Sequence, residues 1–85
     1  MFMKVMFNMS NIILEKGKIQ FNLGEFEKDI VLSNNFVEEK IVINLSSNIN
    51  ENVFIKNIQS SLKTITISKS SQEISEVNYI IIETQ

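Results

Sequence analysis

Short runs rich in Ile, Val, Phe and Thr recur along this chain, separated by brief polar gaps. Side chains of that shape suit a pleated, half-buried surface, so the runs predict β-strands near 11–15, 18–23, 27–32, 39–45, 53–58, 62–68 and 76–83. Gly17 is placed to take the positive φ of a tight hairpin between the first two, and Gly24 to end the second, whose Ile19, Phe21 and Leu23 share one face. Ser33-Asn34-Asn35, the Ser46 to Asn52 stretch, Gln59-Ser60-Ser61 and the Lys69 to Ser75 stretch read as surface turns. Phe36-Val37 forms a hydrophobic foot before the fourth run. No stretch keeps a long 3.6-residue apolar period, so helix is disfavoured. The expectation is all-β: a small antiparallel β-sandwich of about six to seven strands, or a partly closed barrel. Residues 11–85 form one domain, and residues 1–10 an N-terminal strand or contact segment.

Alternation assigns faces. Ile65 and Ile67 oppose Thr64, Thr66 and Ser68, as in a half-exposed strand. The closing run is different: Val77, Tyr79 and Ile81 fill one face while Ile80 and Ile82 fill the other. Ile41, Ile43 and Leu45 oppose Val42, and Val53 and Ile55 oppose Phe54 and Ile58. A two-layer sandwich covers only the inner face of each sheet. The outer apolar face of the last strand, with Ile80 and Ile82, therefore meets a second subunit, or is covered by Phe2, Met3, Val5 and Phe7 folding back over it; Tyr79 joins Ile80 and Ile82 as an expected subunit-interface residue.

Composition narrows the function classes. At 85 residues the chain is one domain or less than one working unit, and 44% hydrophobic against 21% charged marks it as globular. Its net charge is -2 and all its basic residues are lysine, which argues against a nucleic-acid partner. The chain has no Cys and no His, so disulfides, thiol or Ser-His-Asp catalysis and His-based zinc sites are excluded by inventory. Ala, Pro and Trp are missing as well, as an AT-rich genome would produce. Nothing reaches the length needed for membrane insertion, and the apolar N-terminus lacks the cleavage site of a signal peptide. No catalytic, metal or cofactor-binding residue is assigned.

The order of features from Ile12 onward resembles the C-terminal modules of bacteriophage tail fibres and the related H-type lectin domains. The residues that carry this are the apolar pair followed by a glycine turn in Ile12-Ile13-Leu14-Glu15-Lys16-Gly17 and Phe36 ahead of Ile41-Val42-Ile43-Asn44-Leu45. Lys63-Thr64-Ile65-Thr66-Ile67 and the aromatic-containing Val77-Asn78-Tyr79-Ile80-Ile81-Ile82 complete the pattern. The chain departs from it in having Ser60-Ser61-Leu62 where a glycine is usual, no proline, and Tyr79 in the aromatic position in place of Trp. The resemblance implies a homotrimer and a non-enzymatic structural or adhesion role in a virion or extracellular appendage. The Arg and Trp on which H-type lectins rely for sugar are absent, so sugar binding does not carry over.

The remaining candidates come from residue type and position. The Asn-rich loop places Asn48, Asn50 and Asn52 where a rigid scaffold commonly presents recognition groups, and Tyr79 is the one aromatic able to stack on a sugar and also hydrogen-bond. These residues make a lectin-like module the alternative reading, with a cell-surface glycan or a structural protein as partner. Tyr79 equally suits a packed position with its hydroxyl on a partner. Glu25, Glu27 and Asp29 project from one strand face, which reads as a solvated charged face.

Overall fold

A computed structural model describes residues 12–84. Residues 1–10, read above as a strand or contact segment, lie outside the described residues. Within these limits the chain forms six strands: β1 (Ile12–Phe21), β2 (Glu27–Val31), β3 (Ile41–Ser47), β4 (Val53–Gln59), β5 (Thr64–Lys69) and β6 (Ser75–Glu83). They build two three-stranded antiparallel sheets, ordered β1-β6-β3 and β2-β5-β4. Single 3-10 turns at Glu38–Lys40 and Ser60–Leu62 lead into β3 and β5.

The two central strands are consecutive in sequence, and both are apolar on their inner faces. Val77 and Ile81 of β6 join Phe21 of β1, while Ile65 and Ile67 of β5 join Ile30 of β2, in one buried cluster. Leu32 and Phe36, from the connection between β2 and β3, plug this core. Burying such side chains is worth roughly 1.5–3 kcal/mol each, an upper estimate because the unfolded chain already hides part of them. The chain changes sheet at four of its five connections, so of the six strands only β4 and β5 are both consecutive in sequence and paired.

Three expectations change. There is no hairpin at Gly17: β1 runs unbroken through it, with Gly17 directly opposite Tyr79. The long β6 offers a continuous ladder, and the Tyr79 ring occupies the space a Cβ on Gly17 would need, 2.8 Å from the phenolic oxygen. The positive φ falls instead at Gly24, at +86°. Leu23 does not share the buried face of Ile19 and Phe21, because the strand ends at Phe21 and leaves Leu23 exposed. Ile58 lies on the same face as Val53 and Ile55, since an irregularity between Ile55 and Asn57 inserts Lys56 and inverts the parity beyond it. That shift turns Ile58 inward to pack against the core.

Candidate functional site

Ser47 ends β3, Lys69 ends β5 and Ser75 begins β6, and these junctions gather at one end of the sandwich. The parity that buries Ile65 and Ile67 carries Lys69 inward too. Its Nζ donates to Glu51 Oε1 at 2.9 Å, to the Glu73 carbonyl at 2.6 Å and to Ser75 Oγ at 2.7 Å, which uses all three ammonium donors. The ammonium also lies 5.0 Å from the centroid of the Phe21 ring. Ser71 Oγ donates to Glu51 Oε1 at 2.6 Å and Ser47 Oγ to Glu51 Oε2. Neither charged side chain is exposed.

Burial pushes the Glu51 carboxyl up, but hydrogen bonding from Ser47, Ser71, Lys69 and Ser75 outweighs it and holds the group down at about 2. The pair is ionic and fully satisfied. The sequence predicts a surface loop at both connections, and the structure buries Glu51 and Lys69 there. Sequence parity could have found Lys69, since it continues the Ile65-Ile67 face; nothing in the sequence singles out Glu51 as its partner.

The predicted ligand residues divide. The Asn48 amide donates to the Glu76 carbonyl at 3.0 Å, and its side-chain oxygen accepts from the Glu76 amide at 2.9 Å. The Asn52 amide donates to Ser70 Oγ at 3.1 Å, and its carbonyl accepts from the Ser70 amide at 2.9 Å. Asn50 is exposed at the turn between them. Tyr79 lies on the inner face of β6, opposite Leu45 and Gly17, at a distance from this loop of about three strand residues, ~10 Å. Its hydroxyl donates to Glu15 Oε2 at 3.2 Å. Burial raises the phenol above its ordinary value, and the charge and hydrogen bond of Glu15 push the same way. The loop asparagines and Tyr79 therefore do not converge on one surface.

Ile80 and Ile82 point outward from the middle strand of the β1-β6-β3 sheet. The register places Ile13, Ile82 and Val42 side by side across all three strands, with Ile80 in the next row between Lys16 and Asn44. Ile13, Val42 and Ile80 are 58%, 49% and 37% exposed. The outer face of the other sheet carries exposed Val31 and Phe54 beside a polar set. There the Glu27 carboxylate accepts from Lys56 at 2.6 Å and Asp29 from the Thr66 hydroxyl at 2.7 Å. Glu25 lies 3.2 Å from Lys28 and accepts from the Asn22 amide, and the Asn22 bond first, then Lys28, lowers its carboxyl. The described residues form neither a pocket nor a cluster of acidic side chains able to hold a metal. Comparison with protein-family models, curated proteins and solved structures gave no match.

Proposed function

We propose that this protein is a non-enzymatic structural module that works as a homo-oligomer in a phage or phage-like appendage, where it forms a rigid tip or contacts a cell-surface glycan or another structural protein. The observation that carries the oligomeric part is the row Ile13–Ile82–Val42, apolar across every strand of one outer face. A sheet face of that kind exposed on a small domain is adhesive, and burying it against another copy removes the cost. The order of strand features shared with tail-fibre modules supports the appendage and favours a trimer.

Light scattering coupled to gel filtration at low micromolar concentration tests this. The expected result is a multiple of the single-chain mass, and a stable, folded monomer overturns the reading. Ile80→Asp or Ile82→Asp is expected to separate subunits more than it unfolds them; full assembly of both variants would show that this face is not the seam.

A further inference from the structure

The two outer faces differ in charge, and both are apolar in part. On the β1-β6-β3 sheet, Ile13, Val42, Ile80 and Ile82 share the outer surface with Lys16, Lys18 and Glu76, two cations to one anion. On the β2-β5-β4 sheet, Val31 and Phe54 share it with Glu27, Asp29 and Lys56, two anions to one cation. We propose that the outer face of the β1-β6-β3 sheet of one copy docks on the outer face of the β2-β5-β4 sheet of the next, in a head-to-tail assembly. This rests on the homo-oligomeric reading above and specifies its seam.

Two physical arguments select this arrangement over a two-fold dimer. An isologous contact joins a patch to itself, so it would cover one apolar face and leave the other wet, whereas a heterologous contact covers both with a single type of interface. An isologous contact also sets a face with an excess of one charge against a face with the same excess, cationic on cationic or anionic on anionic. The heterologous one brings the lysines to the carboxylates, which favours encounter and fixes orientation. Among the described residues, the intramolecular pairs on each face, Lys18 with Glu76 at 3.8 Å and Lys56 with Glu27 at 2.6 Å, each leave one charge of the majority sign without a counterpart. Those are Lys16 on one face and Asp29 on the other.

Mixing two variants tests the seam. Val42→Asp spoils the first face and leaves the second intact; Phe54→Asp does the reverse. Each alone is expected to be a folded monomer by circular dichroism and light scattering. Mixed, they are expected to form a one-to-one heterodimer that grows no further, because each supplies the face the other lacks. A wild-type monomer overturns both this seam and the homo-oligomeric reading. An assembled wild type that Val42→Asp dissociates and Phe54→Asp does not, or two monomeric variants that fail to pair, overturns the seam and leaves that reading standing. Should either aspartate variant lose its fold, a charge reversal confined to exposed positions decides the matter. Lys16→Glu with Lys18→Glu is expected to weaken assembly ~10-fold or more, and adding Glu27→Lys with Asp29→Lys to restore it; failure to restore overturns the seam.

Discussion

Lys69 Nζ lies 2.9 Å from Glu51 Oε1 with both side chains sealed from solvent. The bond ties the connection between β3 and β4 to the one between β5 and β6, two crossings from sheet to sheet. An ion pair so placed gives up hydration on both partners, and its attraction offsets that loss only because the remaining donors and acceptors are filled. Here they are filled by Ser47, Ser71, Ser75 and the Glu73 carbonyl.

Removing one partner is therefore expected to cost much more than removing both. Lys69→Met should lower the unfolding free energy by about 3–5 kcal/mol, because it strands a buried carboxylate. Glu51→Leu combined with Lys69→Met should recover most of that loss. Urea denaturation of the single and double variants measures the difference; equal losses would mean that the pair is not desolvated.

The same carboxylate sets an acid limit. Glu51 sits at about 2 in the fold against 4.5 for the ordinary group, so the unfolded chain takes up its proton first as pH falls. Its contribution is complete above about 4.5 and is lost progressively as pH drops through that value toward about 2. Urea midpoints followed from neutral pH into this window should decline, and the Glu51→Gln variant, though weaker at neutral pH, should decline less.

Gly17 and Tyr79 form the other close relationship. A Cβ on Gly17 would lie 2.8 Å from the phenolic oxygen and 3.1 Å from the ring carbon that bears it, so Gly17→Ala must swing a rigid ring away from Glu15. The expected cost is about 1–3 kcal/mol. It should be smaller in a Tyr79→Phe background, where the nearest colliding atom is gone. A double-mutant cycle reads this coupling, and strict additivity would count against the contact.

Tyr79 is the single tyrosine of the chain, so ultraviolet absorbance reports its ionisation without interference. The phenol should titrate above 10, chiefly through burial and secondarily through Glu15. The fold then loses a contribution as pH rises past 10, where the unfolded chain ionises first. Glu15→Gln should bring the titration closer to the ordinary value without reaching it.

Lys63 closes the 3-10 turn before β5 in the left-handed region, at φ 54° and ψ 35°. A side-chain-bearing residue is held there at a cost of roughly 1–2 kcal/mol. Lys63→Gly is expected to raise the thermal midpoint, and Lys63→Val, branched at Cβ, to lower it.

The direction of side chains within each run is legible from residue order alone. Alternation along β6, β5 and β3 is a property of the extended backbone, so Val77, Tyr79 and Ile81 had to oppose Ile80 and Ile82 whatever lay across from them. All-β character followed from the same residues. Other features depend on partners remote in the chain. Gly17 became a strand residue because Tyr79, sixty-two positions later, lies opposite it and fills its missing side chain. Ile58 turned inward because a bulge at Lys56 broke local parity, and Glu51 left its polar loop because Lys69 had been carried into the core. A glycine, an extra residue in a strand and a lone glutamate look the same in sequence whichever way they end. The free energy that chooses between those ends is released by contacts that exist only once both sheets are in place.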